Sequence, residues 1–318
     1  MKFRTELSCR ALPRPIDHTE QIITLGSCFA DEVGRYLSHH KFCVVSNPMG
    51  PLFNPFSICS LIERTLDKRP YTEADVAQNS EGEYILFDHS TAYSSPNAEQ
   101  LIAEANERQK LLHEALLKAD HLLLTFGTAW VYRHIERNHI VANCHKLPQR
   151  LFARERLHVE SIVERIVAIA ERLPHTQVVV TVSPIRHLGD GLEGNAVSKS
   201  ILRLAADECV ARCERVHYFP SYELLVDDLR DYRFYADDLC HPSAQAVRYI
   251  CERFAEAAFT PETRSLNEEV ERLTAFVAHR PHNPHSELYH RSVADMIDRM
   301  ERSKIDFSTE ITALKARL

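Results

Sequence analysis

Apolar residues along this chain follow two rhythms. Short unbroken runs rich in Val, Ile and Leu occur at residues 22–25, 42–45, 121–126, 177–182 and 216–219, with the length and composition of buried strands. Between them apolar positions recur at spacings of three and four. Leu101, Ile102, Ala105, Leu111, Leu112 and Leu116 form one such stripe; Ile162, Val163, Ile166, Val167, Ala170 and Leu173 a second; Val197, Ile201, Leu202 and Ala205 a third. Strand alternating with helix, each strand apolar on both faces, predicts an α/β fold with a mainly parallel sheet and helices on both sides.

The pattern changes twice. Residues 79–97, "NSEGEYILFDHSTAYSSPN", hold a short strand signal at 84–87 and read as an inserted hairpin or lid. Beyond Thr260-Pro261 the strand signal ends, and Val270, Leu273, Phe276 and Val277, then Val293, Ile297 and Met300, keep helical spacing around a break at "HRPHNPHSELYH". The expectation is an α/β domain over residues 1–260 and a helical extension over 261–318, with the histidines of the break in a solvated turn.

Composition narrows the partners. The 318 residues carry 38 basic and 45 acidic side chains, a formal net charge of -7, so no cationic surplus exists to neutralise a nucleic acid. No apolar run reaches the length of about 20 residues that spans a bilayer. The opening "MKFRTELSCRALPRP" has no signal-peptide apolar segment, and the chain reads as cytoplasmic. Nine scattered cysteines with no CxxC pair suggest reduced thiols rather than a disulfide framework. Cys144-His145, Cys240-His241 and the Cys209/Cys213 pair are the only hints of a metal site, and neither a metal nor an organic cofactor is expected.

In open α/β sheets ligands bind beyond the carboxyl ends of the strands, so chemistry is sought in the residues that follow each run. After the first comes Gly26-Ser27-Cys28, and late in the chain stands "DDLCHPS". Asp238 precedes His241 by three residues, so one turn can bring the carboxylate to Nδ1 and leave Nε2 free to activate a hydroxyl. Ser27 then has a candidate base. The competing readings are that Ser27 merely caps the helix in "FADEVGRYL", that Cys28 is the nucleophile, and that Asp238 caps the helix opening near Pro242.

Nucleophile at the first strand-to-helix turn with a late Asp-x-x-His resembles the SGNH (GDSL-type) hydrolase superfamily. More narrowly, "GSCFA", "NPMGPLFNPFSI", "TFGTAWVY", "NCHK", "TVSPIRH" and "DYRFYADDLCHPS" look like the GSCFA-domain family, a bacterial branch of it, from about Thr24 to Phe254. The resemblance implies a five-stranded parallel sheet in a flavodoxin-like three-layer sandwich and a cofactor-free serine hydrolase. Ser27 would be the nucleophile, His241 the base and Asp238 its orienter, with the Ser27 and Gly50 backbone N–H groups as oxyanion donors. A small-molecule or carbohydrate ester, most attractively an O-acetyl ester, would be the substrate.

One block departs from that pattern. Where the superfamily carries Gly-x-Asn this chain reads Gly127-Thr128-Ala129, leaving Asn143 or Thr128 as substitutes for the missing donor. His187 in "SPIRH", Trp130 and Thr128 are candidates for substrate contact, with core packing the bland alternative for Trp130. Arg186, Arg230 and Arg233 could hold an acidic group or pair with the aspartates around them. In "NAVSKS", Asn195 or Ser198 would cap a helix and Lys199 would be exposed. The same site could serve an O-acyltransferase shielded by residues 79–97, and loss of chemistry would leave a binding module.

Overall fold

The computed structural model describes residues 4–317. Five parallel strands form the central sheet: β1 (Gln21–Gly26), β2 (Cys43–Ser46), β5 (His121–Phe126), β9 (Gln177–Val182) and β10 (Val216–Tyr218), in the spatial order β10-β9-β5-β1-β2. Each of the five apolar runs is a strand of this sheet. Order reverses between β1 and β5, which opens the crevice at their carboxyl ends where doubly wound sheets bind ligands.

Alternate residues of the strands feed two cores. Ile23, Leu25, Leu122, Leu124, Val178 and Val180 pack against α2 (Pro55–Leu66), α3 (Ala98–Lys118), α4 (Val159–Arg172) and α5 (Gly191–Arg212). Ile22, Leu123 and Val179 face the opposite way, onto α1 (Cys28–His39) and α7 (Ala244–Ala258). The result is a three-layer sandwich. Between β10 and α7 a short α6 (Ser221–Glu223) runs into a π-helical turn, Leu224–Leu229.

Side chains just outside the helices start them. Ser27 caps α1, Asn54 caps α2 ahead of Pro55, and Ser243 caps α7, each accepting a backbone N–H of the first turn. α5 departs from its predicted face. Val197 is exposed, whereas Asn195, Ser198 and Lys199 are buried with Leu202 and Ala205. Residues 195–199 lie inside the helix, so neither Asn195 nor Ser198 is its cap, and Lys199 is not exposed. Their polar groups turn inward to meet backbone atoms at the strand ends, a demand that overrides the apolar stripe.

Two smaller sheets branch from this frame. β3 (Val76–Gln78) and β4 (Tyr84–Leu86) make an antiparallel hairpin that overlaps the predicted insertion. A second sheet, β7-β6-β8, comprises β6 (Trp130–His134), β7 (His139–Val141) and β8 (Phe152–Arg156) between β5 and α4. The strand periodicity did not predict it. At the carboxyl end α8 (Pro261–Ala278), α9 (Glu287–Arg302) and α10 (Ser308–Lys315) share a core of their own around Val270, Leu273, Val293, Ile297 and Leu314. His279, His282 and His285 between α8 and α9 are exposed. No helix among the described residues is long and apolar enough to cross a membrane.

Candidate active site

Gly26 sets where the first strand can stop. Its φ is +145°, and a Cβ there would stand 2.1 Å from the Thr125 carbonyl oxygen, so only glycine lets β1 close on β5 at this point. Asn47 braces the same residue. Its Oδ1 accepts the Gly26 N–H at 2.8 Å while Nδ2 donates to Asp31 at 2.7 Å, tying the end of β1 to the first turn of α1. Ser27 is thereby held at the positive end of the α1 dipole.

The Ser27 side chain is the cap of α1, accepting the Phe29 N–H at 3.3 Å, and it also lines a cleft beyond the ends of the strands. Its capping and its nucleophilic readings are compatible, because a hydroxyl that accepts one N–H keeps its own proton to give. Cys28 lines the cleft beside it. Burial, then Asp31, pushes the Cys28 thiol pKa up, which disfavours the thiolate that a cysteine nucleophile needs.

Asp238 and His241 form a self-contained unit. Asp238 Oδ1 accepts the backbone N–H groups of Cys240 at 2.9 Å and His241 at 3.0 Å, and Oδ2 lies 2.6 Å from His241 Nδ1. The His241 and Cys240 N–H donors, then the imidazole, hold the Asp238 carboxyl down at about 2. An ionised carboxylate at Nδ1 keeps the proton there and leaves Nε2 as the basic nitrogen. Asp238 thus caps its own turn and not α7. Arg186 N–H clamps the turn from β9's side by donating to the Cys240 carbonyl at 3.1 Å.

Ser27, Asp238 and His241 line one cleft of about 780 Å³. No hydrogen bond joins the Ser27 hydroxyl to His241, so the Asp238–His241 pair is formed and a Ser27–His241 link is not. Such contacts commonly tighten only with substrate bound. The far wall is the unpredicted sheet, which brings Trp130, Tyr132, Val141 and Phe152 to the cleft. Arg154 stacks over the Trp130 ring at 3.8 Å, which fixes that ring as a wall.

The expected oxyanion donors need correction. Ser27 N–H donates to the Thr125 carbonyl at 3.0 Å, extending the β1-β5 ladder, and Gly50 N–H donates to Asn47 at 2.7 Å inside its own turn. Gly50 does not line the cleft; its φ of +76° and the 2.4 Å at which a Cβ there would meet the Ser90 side chain make it a packing glycine. Thr128 lines the cleft, but its hydroxyl pairs with Ser198 at 3.1 Å and accepts the Trp130 N–H at 3.0 Å. Asn143 lines the cleft with Oδ1 taken by His145 N–H at 2.7 Å, while its Nδ2 has no hydrogen bond among the described residues. Of the four expected donors, Asn143 alone lines the cleft and keeps an N–H with no hydrogen bond among the described residues.

His187 reaches the cleft, its backbone N–H held by Asn195 Oδ1 at 3.0 Å. Its Nε2 is buried without a partner, 3.0 Å from where a Cβ on Gly127 would lie. Burial, then the neighbouring Lys199 charge, lowers its pKa to about 4, so the ring is neutral at physiological pH. Lys199, which its sequence setting did not reveal, is fully buried beneath it. Nζ donates to the Gly127 carbonyl at 2.8 Å and the Ser183 carbonyl at 2.7 Å, joining the ends of β5 and β9. Ser198 donates to no carbonyl but accepts the Ala129 N–H at 2.7 Å. A polar triplet at positions 195, 198 and 199, on one helical face, is the signal that could have marked this floor.

None of residues 79–97 lines the cleft. Among the described residues no group of three or more His, Cys, Asp or Glu side chains is placed to hold a metal ion.

The model of the GSCFA family matches residues 21–254 of this chain. No curated protein matches it. Among solved structures, a Bacteroides fragilis protein described as a candidate acylhydrolase is similar at 10% identity and a TM-score of 0.39, over 81% of this chain and 92% of that one. A protein from Streptococcus pneumonia described as a candidate platelet activating factor is similar at 11% identity and a TM-score of 0.39, over 76% and 84%.

Proposed function

The chain belongs to the GSCFA family, and from that premise we propose that it is a serine hydrolase that cleaves a small acyl ester through an acyl-Ser27 intermediate. The observation that carries this reading is the Asp238–His241 pair, 2.6 Å apart, opening into the same cleft as Ser27. His241 Nε2 takes the Ser27 proton as the hydroxyl oxygen attacks the ester carbonyl, and Asp238 stabilises the imidazolium. Collapse of the tetrahedral intermediate breaks the acyl C–O bond, and His241 returns the proton to the departing alcohol. Water, deprotonated by His241, then releases the acid and restores Ser27.

Charge on the carbonyl oxygen would be met by the Asn143 Nδ2 donor and the amino end of α1. An O-acetyl ester on a carbohydrate suits the site on one further ground: Trp130, immobilised by Arg154, is an aromatic side chain in the cleft wall that a sugar ring could contact. Hydrolysis is favoured over transfer because Asp238 and His241 are half exposed and no segment from 79–97 shields the acyl enzyme from water.

Labelling with a fluorophosphonate probe, read as intact mass, tests the site without a known substrate. Wild type and Cys28→Ala should each take up one label, and Ser27→Ala and His241→Ala none. Labelling that survives Ser27→Ala, or is absent from wild type, would overturn the reading and return the cleft to a binding role.

A further inference from the structure

Arg186 is a cation in the cleft without a counter-charge. No carboxylate lies within 4 Å of it among the described residues, although the chain as a whole is acidic. The two acidic side chains of the cleft are already engaged: Asp190 with Arg154 at 2.6 Å, and Asp238 with His241. Arg233, on the neighbouring loop, lies 3.8 Å from Asp231, so the expected surface pairing holds there and fails at Arg186.

The guanidinium is oriented rather than loose. It stacks 4.0 Å over the Tyr235 ring and 5.2 Å from Tyr232, and its hydrogen bond to a backbone carbonyl is a long one, 3.4 Å from Nη1 to Leu239. Five N–H donors in a planar fork, one of them weakly used, present an edge suited to two oxygens of one anion. Stacking on tyrosine removes much of the rotamer entropy that binding would otherwise cost.

Position identifies which half of an ester would be met. His241 returns its proton to the departing alcohol, so the alcohol lies against the Asp238–His241 turn. Arg186 is bonded to that turn at Cys240 and Leu239. The inserted sheet, with Val141 and Phe152, is the other wall and is apolar at those positions. We propose that Arg186 binds an anionic group, carboxylate or phosphate, on the alcohol half of the ester, an inference that rests on the acyl-Ser27 reading above.

The test compares three acetyl esters with the full chain: meta-acetoxybenzoate, its neutral isostere meta-acetoxybenzamide, and meta-acetoxyphenyl phosphate. Wild type should favour at least one anionic ester over the amide by roughly tenfold in kcat/KM, carried mainly by KM. The faster of the two anionic esters identifies the group. Arg186→Gln should collapse the preference to near unity, and Arg186→Lys should keep part of it, charge without the fork.

No preference in wild type would overturn the proposal. So would a preference that survives Arg186→Gln, including the case where all three esters slow by one factor, since that is the mark of a brace for the catalytic turn. If Ser27 takes the fluorophosphonate label yet none of the three esters is cleaved, the proposal fails and the hydrolase reading stands. Failure of both labelling and cleavage would remove both.

Discussion

His241 Nδ1 lies 2.6 Å from Asp238 Oδ2, and the same carboxylate receives the backbone N–H groups of Cys240 and His241 on its other oxygen. One side chain therefore shapes the turn and orients the imidazole, and the two tasks fall on different oxygen atoms.

Asp238→Asn separates those tasks. The amide oxygen can still accept both backbone N–H groups, but the NH2 replaces Oδ2 and makes Nδ1 an acceptor, which moves the ring proton to Nε2 and removes the base. Ester turnover is expected to fall roughly a thousand- to ten-thousandfold in kcat, as tautomer errors do in hydrolase triads, with the melting temperature little changed. Steady-state kinetics on the best ester checks this; a variant within a few-fold of wild type would remove Asp238 from the mechanism.

Gly26→Ala should fail at the level of the fold. A methyl group 2.1 Å from the Thr125 carbonyl oxygen, at a φ of +145°, cannot be accommodated without parting β1 from β5 next to Ser27. The expected loss exceeds about 3 kcal/mol, seen as a lower urea midpoint or insoluble expression. Gly82→Ala is the control, since a Cβ there meets nothing within 4 Å, although its φ of +82° adds mild strain. Equal stability of the two variants would contradict the close approach.

Lys199 should make stability depend on pH on the alkaline side. Burial pulls its pKa from 10.5 down to about 7. Between those values the unfolded chain holds a proton that the folded chain has released, so this group makes stability rise with pH, by up to about 1.4 kcal/mol per pH unit. The contribution is full above the unfolded value and lost as pH falls through the folded one. Lys199→Met should be less stable overall, since the Gly127 and Ser183 carbonyls lose their donor, and should lack that alkaline gain. Urea unfolding of both proteins across the window measures the difference; parallel pH profiles would mean that Lys199 keeps its proton when folded.

Features written within three or four residues were legible in the amino-acid sequence. The five apolar strands, the serine at the end of the first and the Asp-x-x-His turn all depend on neighbours in the chain, and each stands where its local pattern predicts. The β6-β7-β8 sheet was not legible because its strands, "WVYRH", "HIV" and "FARER", are short, hold no unbroken run of Val, Ile or Leu of strand length, and contribute to the cleft. The face of α5 was misread for a related reason: Leu202 and Ala205 are buried as the stripe predicts, but Val197 is exposed because backbone groups at the strand ends hold Ser198, through the Ala129 N–H, and Lys199, through two carbonyls, inward instead.

By itself the sequence determined the parallel sheet, the crevice at the end of β1 and the internal geometry of the Asp238 turn, because hydrogen bonds across three residues and apolar runs of strand length need no distant partner. Tertiary structure decided the rest. It committed the Ser27 N–H group to the Thr125 carbonyl that packing placed beside it, buried Lys199 under atoms 16 and 72 residues away, and left Arg186 in the cleft without a carboxylate. Whether a polar group is spent or free depends on what the folded chain puts within about 3 Å of it, and contacts between strand ends so far apart in sequence exist only after the layers have closed.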